Sequence, residues 1–203
     1  MMTPVYLVDD DQDVLESLQW MLKGQGIEAV GFDCAASFLD GAAWQQPGVL
    51  VLDVQMPGMD GISLHQQLLQ ASSPLAVIIL TGHGNIAMAV KAMQQGAMDF
   101  LEKPVDGDRL LELLSKGAAL TVQRFAVGSE QAELRSRLAT LTPREREVMQ
   151  RVLAGKLNKV IAAELYVTQR TVELHRKKVL EKMAVHNVAE LAFLLAKLQP
   201  LPI

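Results

Sequence analysis

The stretch GVLVLD, residues 48–53, is a short unbroken apolar run that stops at a carboxylate, and four other segments of the chain share its form. Pro4 to Val8 runs into Asp9-Asp10-Asp11, Glu28 to Phe32 is a second apolar run, Leu75 to Leu80 stops at Thr81, and Ala97 to Leu101 is followed closely by Lys103. Runs rich in Val, Ile and Leu that do not alternate with polar residues suit strands covered on both faces. Helical stretches at 12–25, 35–43, 60–71, 85–95 and 106–120 separate them. Five βα repeats predict an α/β fold with a doubly wound, five-stranded parallel sheet.

The remainder of the 203 residues reads differently. Half the chain is hydrophobic, 21% is charged and only 8 residues are proline, which is the balance of a packed protein and excludes a disordered or low-complexity one. The net charge of −4 conceals two unlike halves. Residues 1–123 hold 15 Asp and Glu against 5 Lys and Arg, whereas residues 124–203 hold 8 against 14. Two domains are therefore expected, and a compact basic module suggests phosphate-rich nucleic acid as its partner.

No strand pattern appears after residue 123. Thr142-Pro143-Arg144-Glu145 has the form of a capping box with proline at the first helical position, and Gly155 is a stop. Asn158 opens a short helix to about Leu165, Thr168 caps a longer one to about Met183, and Asn187 with Glu190 starts a last helix that ends before Pro200. The expected divisions are a first domain over 1–121, a partly helical linker over 122–139, and a four-helix domain over 140–203. The single Cys34 excludes an internal disulfide and suits a small packed side chain. The N-terminus has no basic, apolar, small-residue leader, and no aliphatic run approaches the ~20 residues of a membrane span, so a cytoplasmic protein without a membrane partner is expected.

In open α/β sheets ligands sit outside the carboxyl ends of the strands. Asp9, Asp10, Asp53, Thr81 and Lys103 all fall there and should converge on one crevice. Carboxylates gathered beside one lysine call for a cation, and an oxygen-only donor set suits Mg²⁺ held by Asp9, Asp10, Asp53 and the Gln55 backbone carbonyl. Asp53, the central carboxylate, can act as a nucleophile toward a phosphoryl group while Lys103 and the Thr81 hydroxyl stabilise the transferred oxygens. A haloacid-type phosphatase carries a second aspartate two positions after its nucleophile; here that position is Gln55, which favours a stored phosphoryl group over rapid turnover.

The strings LVDDDQDV, VLDVQMPGMDG, ILTGHG and FLEKP, spread over residues 4–120, resemble the receiver domain of two-component response regulators. The resemblance implies phosphoryl transfer from a sensor histidine kinase to Asp53, with self-catalysed phosphorylation and slow dephosphorylation rather than ordinary enzymatic turnover. It also implies a switch in which Thr81 moves toward the phosphoryl group and Phe100 turns inward, a cis Lys103-Pro104 peptide, a Met56-Pro57-Gly58 turn ahead of Gly61, and an influence of His83 on water access.

Farther on, LTPREREVMQRVLAG, NKVIAAEL and TQRTVELHRKKVLEKM resemble the LuxR-type helix-turn-helix of the FixJ/NarL response regulators. Within the longer helix Val172, Val179 and Met183 share an inward face. Similarity assigns Glu173, Leu174 and Lys177 to base edges and Asn158, Lys159, Thr168, Arg170, His175 and Lys178 to phosphates of double-stranded DNA. Tyr166 stands where the family often has glycine and is expected to alter the helix angle or pack on the last helix. The family implies a homodimer on phosphorylation, through the last-helix stripe Val188, Leu191, Ala192, Leu195 and Leu198 or the fourth-helix face of the receiver, where Met88, Val90 and Met93 otherwise read as core; RNA polymerase is the expected further partner. The competing functions are a DNA-binding regulator that uses its receiver only as a dimerisation platform, and a metal-dependent phosphohydrolase.

Overall fold

A computed structural model describes residues 3–82 and 86–198, with the backbone alone for 86–89. His83, Pro200 and the Met88 side chain lie outside the described residues. Contacts divide the chain into two compact units, residues 1–126 and 127–203.

The first unit alternates β1 (Val5–Val8), α1 (Gln12–Gly24), β2 (Ala29–Phe32), α2 (Ala35–Gly41), β3 (Val49–Asp53), α3 (Gly61–Gln70), β4 (Ala76–Thr81), α4 (Ile86–Gln94), β5 (Asp99–Glu102) and the start of α5 (Gly107–Ala139). All strand pairs are parallel, in the order β2-β1-β3-β4-β5. This is the flavodoxin-like doubly wound sheet expected from the repeat. Alternate strand residues feed two separate cores: Tyr6, Val8, Leu50, Leu52, Val77 and Ile79 pack with α2 and α3, while Leu7, Val49, Val51, Ile78 and Leu80 pack with α1 and α5. Burial on both faces is why these strands show no alternation in sequence. The last strand begins two residues later than the sequence suggests, because Ala97 N–H closes the end of α4 on Ala92 O at 3.0 Å.

Three local expectations change. Cys34 is only half-buried and serves as the N-cap of α2, its sulfur accepting from Ser37 N–H at 3.5 Å. Val90 and Met93 are exposed rather than core; α4 turns Ala92 inward instead. The fifth helix does not end near residue 120 and the linker is not partly helical: α5 continues unbroken to Ala139. A lone Gly128 costs a helix only about 1 kcal/mol. Offsetting it, Leu134 and Leu138 join the core of the second unit, and Glu133 pairs with Arg137 one turn on at 2.5 Å.

The second unit adds α6 (Pro143–Leu153), α7 (Asn158–Glu164), α8 (Gln169–Met183) and α9 (Val188–Ala196). The capping box at Thr142 and Glu145 is present in full, and Asn187 caps α9 by accepting from Glu190 N–H at 2.8 Å. Glu145 does more than cap. Its carboxylate is buried and also takes the Lys182 ammonium of α8 at 2.7 Å, while Lys182 donates to Thr140 O at 3.0 Å. The lysine hydrogen bond holds the Glu145 pKa down, at about 2. A carboxyl depressed in the fold stabilises it above the unfolded value near 4.5 and loses that contribution as pH falls toward 2. Glu145→Gln should keep the cap, lower the melting temperature of the second unit by about 4 °C at pH 7, and weaken its loss of stability between pH 4.5 and 2, measured by thermal melts of the full chain.

Candidate functional site

In the order β2-β1-β3, the crossover from β1 goes to one side and the next strand lies on the other, so the chain opens a crevice at the carboxyl ends of β1 and β3. The register Val8↔Leu52 makes Asp9 and Asp53 neighbours there. Both are buried, at 1% and 4% exposure, although carboxylates are rarely sealed without a partner. Their partner comes from beyond β5: Lys103 Nζ lies 2.6 Å from Asp9 Oδ2 and 2.7 Å from Asp53 Oδ1. The second Asp53 oxygen accepts from Gln55 N–H at 2.6 Å, and Asp9 Oδ1 accepts from Asp11 N–H at 3.1 Å. Lys103-Pro104 is cis.

Burial pushes the Asp53 pKa up against the opposing pull of Lys103. Burial works against the Lys103 ammonium too, but its close pairing with Asp53 and Asp9 prevails and its pKa is raised. Asp10 is exposed beside them, and oxygens of Asp9, Asp10 and Asp53 lie within 4.8 Å of one another. Three carboxylates around one ammonium leave an excess of two negative charges. Asp9 Oδ2, sealed from solvent, touches Lys103 without hydrogen-bond alignment. An all-oxygen cluster with that charge and an under-used buried oxygen fits a divalent metal ion.

Thr81 ends β4, buried, with its hydroxyl donating to Gly82 O at 3.2 Å. It is thus near the cluster by topology, and among the described residues its hydroxyl bonds only to its own neighbour. Phe100 on β5 faces outward, 39% exposed. Gly61 completes the loop after β3: a Cβ there would sit 2.0 Å from the Asp53 carbonyl oxygen, so only glycine lets α3 start this close to the cluster.

In the second unit, α8 buries Val172, Val179 and Met183 and exposes Arg170, Glu173, Leu174, Lys177 and Lys178. Leu174 is 52% exposed on that charged face. Lys159 is exposed on α7, and Thr168 caps α8 by accepting from Thr171 N–H at 3.1 Å. His175 is half-buried with Nδ1 sealed and unpaired, which leaves Nε2 as its only nitrogen able to reach outward. Asn158 does not cap α7, whose N-cap is Leu157; its Oδ1 accepts from Arg176 at 2.6 Å, a pin between α7 and α8 that sequence reading missed. On α7, Ala162 is buried in the core with Val172, whereas Ala163 is exposed. Tyr166 does not pack on the last helix: it is 96% exposed. Of the α9 stripe, Leu191 is buried, Val188, Leu195 and Leu198 are partly so, and Ala192 is exposed.

Comparison with known proteins gives each unit a family match. Residues 5–115 match the response regulator receiver domain and residues 139–195 match the luxR family of bacterial regulatory proteins. The chain is 40% identical over 189 residues to the transcriptional regulatory protein FixJ of Bradyrhizobium diazoefficiens, covering 92% of this chain and 91% of that one. It is 41% identical over 190 residues to the tetrathionate response regulatory protein TtrR of Salmonella typhimurium, covering 94% and 90%. Among solved structures, the response regulator StyR superposes with a TM-score of 0.79 at 39% identity, over 97% of this chain and all of that one. Full-length FixJ from B. japonicum gives 0.58 at 37% identity over 98% of each.

The close approach at Gly61 carries a test. Gly61→Ala should destabilise the first unit by about 3 kcal/mol in urea denaturation, because the clash is with backbone that no rotamer change relieves, and should shift the Asp53 amide resonance.

Proposed function

The chain belongs to the response regulators that join a receiver domain to a LuxR-family DNA-binding domain, and from that premise we propose that phosphorylation of Asp53 controls its grip on DNA. It fits a two-component transcription regulator rather than a conventional enzyme. The observation that carries the finer reading is the buried Asp53 carboxylate, held between Lys103 Nζ and Gln55 N–H in a crevice with two more carboxylates.

The phosphoryl donor is a sensor histidine kinase. An Asp53 oxygen attacks phosphorus, the new O–P bond forms as the P–N bond to the kinase histidine breaks, and the histidine nitrogen keeps the bonding pair. The chain provides the geometry for this transfer and for the slow later hydrolysis. Asp9, Asp10, Asp53 and the Gln55 backbone carbonyl would hold Mg²⁺, which supplies positive charge for the transferred oxygens. Lys103 reaches Asp53 already and would offset part of the negative charge of those oxygens as well. Thr81, whose hydroxyl donates to Gly82 O, then turns to the phosphoryl group, and Phe100 moves inward from its exposed position. A charge change at one carboxylate biasing a bistable face is the general form of such a switch.

The face that would respond already carries exposed apolar groups: Val90 and Met93 on α4 and Phe100 on β5 support a homodimer formed there on phosphorylation. The receiver spans residues 1–121, helix α5 carries the connection over 122–139, and residues 140–203 bind double-stranded DNA. Glu173, Leu174 and Lys177 read base edges from the exposed face of α8, and Lys159, Thr168, Arg170, Lys178, Asn158 and the Nε2 side of His175 meet phosphates. The work is cytoplasmic, with RNA polymerase as the eventual partner. No helix among the described residues is long and apolar enough to cross a membrane.

Incubation with acetyl phosphate and Mg²⁺ should load one phosphoryl group on the natural chain and none on Asp53→Ala, read by mass spectrometry. Loading should also raise dimerisation and DNA affinity together; if it changes neither, the control mechanism is wrong. On duplexes of different sequence, Lys159→Ala should weaken binding about three- to five-fold throughout, whereas Lys177→Ala should cost about ten-fold on the preferred site and little elsewhere.

A further inference from the structure

The turn between α7 and α8 closes with the hydrogen bonds of a Schellman motif: Tyr166 N–H reaches Ala163 O at 3.3 Å and Val167 N–H reaches Ala162 O at 3.0 Å. That closure requires a left-handed backbone at residue 166, where φ is +55°. Glycine adopts this conformation freely, whereas a side chain there crowds its own carbonyl. Elsewhere the chain respects the rule. Gly26, Gly96 and Gly155 end α1, α4 and α6 with positive φ, Gly58 takes the turn after β3, and the other such residues described, Ser72 and Ala184, are small. Residue 166 alone among them is large.

Among the described residues nothing repays that strain. Tyr166 is 96% exposed, so its ring buries almost no surface, and its hydroxyl and ring have no hydrogen-bond or aromatic partner among the described residues. The hydrophobic contact that usually accompanies such a turn is made by the next residue, Val167, which packs on the core around Ile161 and Val172. A strained position that does not stabilise its own structure is most simply explained by a contact made with something else.

The surroundings identify the chemistry of that contact. Tyr166 stands two residues before Thr168, the cap of the helix whose exposed face carries Arg170, Lys177 and Lys178. From Leu165 to Val172 the sequence contains no acidic residue. The acid just before it, Glu164, is already neutralised by Arg151 at 2.9 Å and by Lys156. A phenol offers one O–H donor and a flat apolar ring, which suits a phosphate oxygen and its adjoining sugar, and tyrosine is among the side chains that make such backbone contacts. We propose that Tyr166 is an additional DNA-backbone contact of this chain, its hydroxyl donating to a phosphate beside the first turn of α8. The assignment rests on the DNA-binding reading above and extends it to a residue outside the set drawn from family resemblance. Because phosphates are common to every duplex, the contact raises affinity without changing sequence preference.

The proposal makes stability and binding move in opposite directions, which a purely structural role does not. Full-length Tyr166→Gly and Tyr166→Phe would be compared with the natural chain by thermal melting and by fluorescence anisotropy on a labelled 30-base-pair duplex of mixed sequence. Tyr166→Gly should melt a few degrees higher, since the strain is relieved, and yet bind about five- to ten-fold more weakly. Tyr166→Phe should melt unchanged, since ring and strain remain, and bind about three-fold more weakly for want of the donor. Equal affinity of all three proteins overturns the proposal, and so does a loss in Tyr166→Gly that Tyr166→Phe does not share, because the hydroxyl is then unused. If the natural chain itself shows no affinity for the duplex at any phosphorylation state, the DNA-binding reading fails with it.

Discussion

Two carboxylates from adjacent parallel strands share a single ammonium, and the rest of the first unit is arranged around making that possible. The pairing of Val8 with Leu52 sets Asp9 beside Asp53 at the point where the crossovers run to opposite sides. Burying two like charges costs several kcal/mol per ion unless the countercharge is close. Lys103 provides it from the far side of β4, so the cluster exists only when β1, β3, β4 and β5 are all in register. One ammonium does not balance the site once Asp10 is included, and the residual negative charge is of the kind a divalent cation would offset.

The second unit solves a different problem, the presentation of one charged helix face on a very small core. Charged side chains act there as pins at the edge of that core. Lys182 ties α8 to the start of α6 through Glu145, Arg144 reaches from α6 to the Leu165 carbonyl at the end of α7, and Arg176 ties α8 to α7 through Asn158. The cations left exposed, among them Lys159, Arg170, Lys177 and Lys178, are those available to a polyanion. Net charge of the unit therefore overstates its binding surface, since part of it is spent internally.

Much of this was legible in the order of residues. Parallel strands buried on both faces leave unbroken Val, Ile and Leu runs, so the five-stranded α/β architecture follows from periodicity alone, and the polar residue that ends each run marks the ligand-bearing edge. Caps are equally local: Thr142, Thr168 and Asn187 each satisfy an N–H group three residues away, and the helices they begin were readable for that reason. The continuation of α5 was not readable, because Leu134 and Leu138 gain their helix-stabilising contacts from α8 and α9, far away in sequence, while Gly128 argues locally for a break.

The sequence by itself therefore determined the fold class, the edge of the sheet that carries Asp9, Asp53, Thr81 and Lys103, and the helix that carries the basic face. Only the tertiary structure decided that Lys103 bridges Asp9 to Asp53, that Asn158 is held by Arg176, that Val90, Met93 and Phe100 face outward, and that Tyr166 takes a left-handed backbone in full exposure. The division has a physical cause. Periodicity and capping are set by neighbours within a turn or a strand, whereas ion-pair partners, exposure and strain depend on groups that meet only after distant segments have packed.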